Sequence, residues 1–234
     1  MAATEGFELI VSEEWAAAYP GACLGTLAMA GVRNPAEDDR MTALLDETAA
    51  GLTARHAAAT RADLLARPEL ATYAAHYRKF DKTYHVLLQL ESVVLKGKPI
   101  RARGALVAAM FRAELTTGLL TAGHDAGRLD GRLTIGVVAP GDRYLGFGGR
   151  EIEAAPGDMC IRDGTAIVSS VIYGPDDRTR LEPDTQIAVF TTYAPAGIGP
   201  GAVARHMATI AEGVRAVAPE ATIETLAVAV AEAR

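Results

Sequence analysis

The chain is poor in the residues that build metal, disulfide and serine-nucleophile sites. Of its 234 residues only two are cysteines, Cys23 and Cys160, and their wide separation indicates neither a disulfide framework nor a zinc site. None of its serines lies in a Gly-x-Ser-x-Gly elbow, and its five histidines include no His-x-His or His-x-x-x-His pair. The sequence therefore predicts no metal and no cofactor.

Long apolar runs and phosphate-binding loops are missing as well. No apolar stretch approaches the roughly 20 residues of a membrane span, and the N-terminal segment lacks the basic and apolar regions of a signal peptide. We therefore expect a cytoplasmic protein without membrane contact. The glycine cluster LGFGGRE at 145–151 has neither the lysine nor the following helix of a P-loop, so it predicts a hairpin turn.

Lysine occurs in only one stretch of the chain. The net charge of −6 excludes a generally basic surface for nucleic acid. The segment 77–103, here called the basic window, holds every lysine and carries +5, which leaves −11 for the rest. With Tyr77 and Tyr84 it mixes cations and aromatics, a combination that suits a phosphate backbone and unstacked bases. A solvated basic helix and loop is the alternative.

The apolar content is high enough for a full core. Half of the residues are hydrophobic (50%) and the mean hydropathy is +0.13. These values are typical of a globular protein that needs no disulfide or metal ion to stabilise its fold. In the first half of the chain, a buried strand is predicted at 22–32. Helices are predicted over 36–80, with Pro68 opening a second helix, and over 86–95 and 105–119.

The second half has a different pattern. After residue 120, short segments rich in β-branched residues alternate with Gly, Pro and Asp turns and predict antiparallel strands. A helix is predicted over about 200–216, and the last segment, TIETLAVAVAEAR, fits a strand followed by a helix. This order predicts one α+β domain over 1–234, with a helical N-terminal part followed by an antiparallel β-sheet with packed helices.

Three places combine residues that could support chemistry. In TAGHD at 121–125, a loop would put His124 beside Asp125 as a base or orienting pair near neutral pH. The alternative is a turn in which Asp125 caps a short helix and His124 is half exposed. Glu114, within an apolar helix, needs a partner if buried, so it either pairs with an arginine or faces a pocket.

The third place is SSVIYGPDDRTR at 169–180. It predicts a strand, a tight Gly-Pro turn and a loop dense in Asp and Arg. Carboxylates beside guanidiniums on a loop could hold the head group of an amino acid, with Asp177 on the amine and Arg178 on the carboxylate. The alternative is a solvated hairpin tip with local ion pairs.

Two long segments resemble a known family. They are VVLKGKPIRARGALVAAMFRAELTTGLLTAGHDAGRLDGRLTI and GDMCIRDGTAIVSSVIYGPDDRTRLEPDTQIAVFTTYAP. They resemble the B3/4 tRNA-binding domain of the phenylalanyl-tRNA synthetase β subunit and its stand-alone relatives. The resemblance covers about 70–195 well and the N-terminal 60 residues loosely. The elements that match in order are Lys96–Lys98, the helix 105–118, His124–Gly131, Pro156–Asp158 and Thr179–Thr185.

The resemblance implies an α+β module that receives the 3′ end of a mischarged tRNA and hydrolyses the wrong aminoacyl ester. The chain departs from the family at two site positions, with Phe111 where the family has a helix asparagine and Ala122 where it has a histidine. The family's acidic site residue is matched best by Asp177.

Two interpretations remain open. One is a stand-alone aminoacyl-tRNA editing hydrolase, that is, a trans-acting deacylase. The other is a non-catalytic or repurposed module that binds an amino acid, a small metabolite or a protein partner. For either one we expect a single pocket between the helix 105–118 and the sheet. The predicted catalytic residues are His124, Asp125 and Asp177; the predicted substrate-binding residues are Glu114, Thr121, Ser170 and Arg178; and the predicted RNA contacts are Lys79, Lys96, Lys98 and Arg101.

Overall fold

The computed structural model describes Phe7 and residues 9–232, and its N-terminal half is mainly helical. Ser12 caps the first helix by accepting a hydrogen bond from the Trp15 amide, and Pro68 occupies the first turn of the fourth. The helices are α1 (Glu13–Ala18), α2 (Asp39–Arg55), α3 (Arg61–Leu65), α4 (Pro68–Arg78), α5 (His85–Val94), α6 (Ala105–Thr117) and, near the C-terminus, α7 (Pro200–Val217).

The strands form two sheets and a separate hairpin. The strands are β1 (Leu9–Val11), β2 (Cys23–Ala30), β3 (Ala122–Asp125), β4 (Leu133–Val137), β5 (Arg143–Gly146), β6 (Arg150–Glu153), β7 (Met159–Arg162), β8 (Ile167–Ser170), β9 (Gly174–Pro175), β10 (Ile187–Ala194) and β11 (Thr222–Val230). One sheet has the order β1-β4-β7-β8-β9, with β1 parallel to β4, and the other is antiparallel with the order β11-β2-β10-β3. The hairpin pairs β5 with β6.

The core joins the two halves of the chain. Helix α7 packs on β2 and β11, and α6 packs on α7. This helix pair is close because Gly213 has no side chain: a Cβ there would stand 2.9 Å from the Cβ of Ala109. The approach brings His206 of α7 against Thr117 at the C-terminal end of α6.

The α+β class predicted from the sequence is confirmed. The strand expected at 22–32, the helix break at Pro68 and the hairpin at LGFGGRE are all present. Two details differ. The strands form two sheets rather than one, and β11 extends over Thr222–Val230, because β2 gives it a pairing partner along its length. No helix follows β11 within the described residues, which end at 232. Across the part of the chain that is described, no helix has the length and apolar character to cross a membrane.

Candidate functional site

A cavity of about 760 Å³ lies between α6 and the strands, where the sequence placed the pocket. Cavities of this size are typical of sites for small organic ligands. Its walls come from α6, the segment entering β3, the end of β8 and the loop before β10. Most of the wall is apolar, with Val107, Met110, Phe111, Leu120, Val171 and Leu181 among its residues.

Glu114 is the buried acidic residue in this wall. It sits on the inner face of α6, is 2% exposed, and its Oε1 accepts a hydrogen bond of 2.8 Å from the Thr121 amide. Its Oε2 has no hydrogen-bond partner among the described residues. Burial raises the pKa of Glu114 to about 8, although the bond from Thr121 opposes the shift. The wall therefore holds a carboxyl group that is largely protonated at neutral pH and has a free bonding position.

A chain of hydrogen bonds behind the wall orients Thr121. Thr117 donates its only hydroxyl hydrogen to the Ala113 carbonyl. Its oxygen must therefore accept a hydrogen bond from His206 Nδ1, which lies 2.7 Å away. His206 Nδ1 is therefore protonated, and its Nε2 accepts from the Thr121 hydroxyl at 2.6 Å. Burial lowers the pKa of His206 to about 3, which keeps the ring neutral. The Thr121 hydroxyl consequently retains its lone pairs for another donor.

Cationic residues line the exposed edge of the cavity, here called the rim. Arg101 and Arg103 are exposed, line the cavity, and have no ion-pair partner in the described chain. Arg180 also lines it, but pairs with Asp177 and Glu182. The rim therefore offers two uncompensated positive charges to an anionic group.

Four of the predicted site residues line this cavity. They are Glu114, Thr121 and Ser170 from the expected substrate contacts and Arg101 from the expected RNA contacts. Phe111 and Ala122, the two departures from the family pattern, also line it.

The expected His124–Asp125 pair is not formed, and its segment is a strand rather than a loop. Adjacent residues of a strand point to opposite faces, so β3 separates the two side chains. Asp125 instead accepts hydrogen bonds from the Gly127 amide and the Thr185 hydroxyl. The capping alternative is correct for Asp125, but His124 is fully buried rather than half exposed.

His124 has a structural environment. The Thr179 hydroxyl donates its hydrogen to Asp176, so it accepts from His124 Nδ1 at 2.7 Å. The Nε2 atom is buried without a partner among the described residues, and burial lowers the pKa of His124 to about 4. His124 does not line the cavity.

The acidic loop is occupied by its own hydrogen bonds. Asp177 Oδ1 accepts from the Gly148 amide at 2.9 Å and from Arg180 at 3.0 Å, contacts that lower its pKa. Arg178 bonds Asp163 and the Arg128 carbonyl, both at 2.6 Å. Neither Asp177 nor Arg178 lines the cavity, so the head-group site expected in this loop is not assembled there.

The predicted RNA contacts of the basic window do not all line the cavity. Lys79 and Lys96 are exposed outside the cavity lining, and Lys98 lines a separate groove against α2. The expected stacking role of Tyr77 and Tyr84 is wrong, because both rings are buried and their hydroxyls bond the carbonyls of Val171 and Gly118. The cavity lining includes His85 from the middle of the window and Arg101 and Arg103 from its end.

Sequence analysis gave no site role to His206 or Phe147, and it included Arg103 in the basic window without naming it as an RNA contact. His206 sits on the apolar face of α7 with Val203, Met207 and Ile210, which was a usable signal for a buried polar contact. The contacts themselves, between residues 85 and 89 positions apart, have no local signature. Among the described residues, no group of three His, Cys, Asp or Glu side chains could hold a metal ion, and both cysteines are buried and free.

Comparison with known proteins gives a distant structural similarity. The chain matches no protein family and no curated protein. Among solved structures it is similar to an N-terminal fragment of the phenylalanyl-tRNA synthetase β subunit from Pyrococcus horikoshii, with a TM-score of 0.44 and 9% identity. The match covers 88% of this chain and 48% of that one, so the chain spans about half of the fragment. A similarity this distant leaves function to be argued from the cavity.

Proposed function

We propose that the protein binds the aminoacyl group carried at the 3′ end of an RNA and hydrolyses its ester bond. In this proposal the amino acid side chain occupies the apolar cavity, the α-ammonium group binds Glu114, and the arginines of the rim bind phosphate. One observation carries it: a buried carboxyl group with a free oxygen lies in the wall of an apolar cavity whose rim has two unpaired arginines.

The apolar wall and Glu114 together fit an amino acid with an aliphatic or aromatic side chain. An ammonium group is costly to bury unless an anion faces it. Glu114 supplies that anion by releasing its proton, because a cation beside a carboxyl group lowers its pKa. The amide of Thr121 already bonds Oε1 and stabilises the ionised form. Ligand binding and loss of one proton from Glu114 are therefore coupled.

Hydrolysis needs a positioned water and donors for the charge that develops on the ester oxygen. Thr121 can act as a positioning residue, since its hydroxyl hydrogen is held by His206 and its lone pairs can accept a hydrogen bond from water. A neighbouring hydroxyl of the RNA's terminal ribose can assist the same step. His124, Asp125 and Asp177 are not assigned to it, because they lie in hydrogen-bond networks outside the cavity lining.

A second candidate is binding of a free amphipathic molecule, such as an amino acid, without catalysis. It is favoured by one observation: the three residues predicted as catalytic do not line the cavity. The arginines of the rim would then bind the ligand's own carboxylate.

The test combines a deacylation panel with binding to stable analogues. RNA minihelices that end in CCA are charged with different aliphatic and aromatic amino acids, and ester hydrolysis is followed with purified protein and with the variant Glu114→Gln. The exposed Glu47→Gln is the matched control. Amide-linked analogues of the same minihelices give the binding constant without reaction.

We expect hydrolysis of at least one ester by the wild-type protein and by Glu47→Gln, and a loss of about tenfold or more in binding with Glu114→Gln, because an interaction with a charged partner is removed. If the protein binds the amide-linked RNA but hydrolyses none of the ester-linked RNAs, the proposed enzymatic activity is contradicted. Binding of free amino acids alone would establish the second candidate instead.

A further inference from the structure

Phe147 is the most exposed large apolar residue of the described chain. It is 72% exposed at the tip of the β5–β6 hairpin, yet it also lines the cavity. Because the ring is exposed and also belongs to the cavity lining, a ligand that extends out of the cavity can contact it. The neighbouring Leu145, on the same hairpin, is also exposed, at 57%.

The hairpin tip is held in place by contacts that do not involve the ring. The Gly148 amide donates to Asp177 Oδ1 at 2.9 Å, and the Asp177 amide donates to the Leu145 carbonyl at 2.9 Å. Gly148 and Gly149 have φ values of 77° and 74°, a region that disfavours residues with side chains. The backbone therefore presents Phe147 at a defined place on the rim, so a ligand that stacks on it need not order the loop.

The ring shares the rim with Arg101 and Arg103, the two arginines without ion-pair partners. An exposed aromatic face next to free cations is the combination that binds single-stranded nucleic acid, with bases on the ring and phosphates on the cations. The protein as a whole is acidic, at a net charge of −6. These cations therefore favour an anionic ligand, whereas an uncharged apolar protein segment would use the ring alone.

We propose that Phe147 is the stacking surface for a nucleobase at the single-stranded 3′ end of the RNA whose aminoacyl group occupies the cavity. This inference rests on the proposed function and names the part of the substrate outside the cavity. The aminoacyl group enters between α6 and the strands, the terminal base stacks on Phe147, and the preceding phosphates contact Arg101 and Arg103. Recognition by stacking tolerates any base.

The test compares Phe147→Ala with Leu145→Ala, a truncation of another exposed apolar side chain on the same hairpin. Two probes are used: a CCA-ended RNA minihelix with an amide-linked amino acid, and the corresponding free amino acid amide. A second measurement uses Phe147→Trp. The chain has one tryptophan, Trp15, which is fully buried, so an added indole at 147 reports stacking through quenching of its fluorescence.

We expect Phe147→Ala to weaken binding of the RNA probe by about tenfold or more, the usual effect of losing one base–aromatic stack. Binding of the free amide should not change, Leu145→Ala should bind both probes normally, and the Phe147→Trp fluorescence should be quenched by the RNA probe only. Unchanged RNA binding by Phe147→Ala, or an equal loss in Leu145→Ala, would overturn the stacking role.

The same experiment separates the two proposals. If the free amide binds the cavity and the RNA adds no affinity, the inference about Phe147 fails while the cavity remains an amino acid site. If neither probe binds the wild-type protein, the proposed function fails and the inference fails with it.

Discussion

The cavity and the loop clamp both contain buried titratable groups, but they differ in what those groups still lack. The loop clamp is the cluster of Asp125, Asp163, Asp176, Arg178 and Thr179 that ties the segment after β9 to the end of β3. Its carboxylates accept hydrogen bonds from amides, hydroxyls and Arg178. In the cavity, by contrast, Glu114 Oε2 and the two arginines of the rim are without protein partners in the described chain.

The difference shows why residue type alone misleads. Asp and Arg in a dense run suggest a binding loop, but here they satisfy one another and the backbone, which is the common fate of buried polar groups. A ligand site is expected where a polar or charged group lacks a hydrogen-bond or ion-pair partner and borders a space that a ligand can fill. Of the two regions, the cavity meets both conditions.

The largest expected effect is in the clamp. Asp125→Ala removes the acceptor of the Thr185 hydroxyl, which is buried, and of the amide of the exposed Gly127. We expect a loss of about 3 kcal/mol in the free energy of unfolding, because each such bond to a charged group contributes roughly 1.5 to 3 kcal/mol. Urea denaturation measures it, with the exposed Asp184→Ala as control. A large loss of ligand affinity in the protein that remains folded would contradict the separation of clamp and cavity.

The next effect concerns Glu114 and has the opposite sign. Its pKa is raised from 4.5 to about 8 in the folded protein, so between these values the native state holds one more proton than the unfolded chain. Stability therefore falls as the pH rises through this range. Glu114→Gln keeps an acceptor for the Thr121 amide and does not ionise, so we expect it to stabilise the protein by about 2 to 3 kcal/mol at pH 6.5. Thermal and urea unfolding between pH 5 and pH 8 measure the effect. A stability that does not fall as the pH rises, or a Glu114→Gln variant less stable than the wild type, would show that Glu114 is ionised when buried.

His124 is expected to reduce stability in acid. Its pKa falls from 6.5 to about 4 on folding, so the unfolded chain binds the extra proton and stability decreases as the pH falls below 6.5. His124→Asn retains a donor for the Thr179 hydroxyl without titrating. Relative to the protein at pH 7, the variant should lose about 1 to 2 kcal/mol less than the wild type on going to pH 5. Equal losses would show that His124 is already protonated in the native state.

The smallest effect is electrostatic and sharpens the boundary of the site. Arg101→Gln and Arg103→Gln should each lower the slope of log affinity for the RNA probe against log salt by about 0.7, the value for one lost phosphate contact on a single strand. Lys79→Gln and Lys98→Gln are the matched controls, because these exposed lysines lie outside the cavity. If the lysine and arginine variants lower this slope equally, the RNA contacts extend over the whole basic window.

The sequence was a good guide to the fold and to part of the site, for identifiable reasons. The spacing of apolar residues predicted α6 and showed that Glu114 is a carboxyl group on its buried face. Pro68 and the turn glycines predicted where elements begin and end. The error over His124 and Asp125 arose because a four-residue strand has too little pattern to be separated from a loop. The segment is a strand because it pairs with β10, and pairing between segments so far apart in the chain leaves no pattern in the local sequence.

Proton release on binding is the most direct test of the claim that Glu114 holds the ligand's amine. At pH 6.5 the carboxyl group is protonated in the free protein, while the ligand's α-amino group is charged. Calorimetric titration with the amide-linked RNA in buffers of different ionisation enthalpy should show release of about one proton per ligand bound, and none with Glu114→Gln. Tight binding to the wild-type protein without proton release would contradict the assignment of Glu114 to the amine.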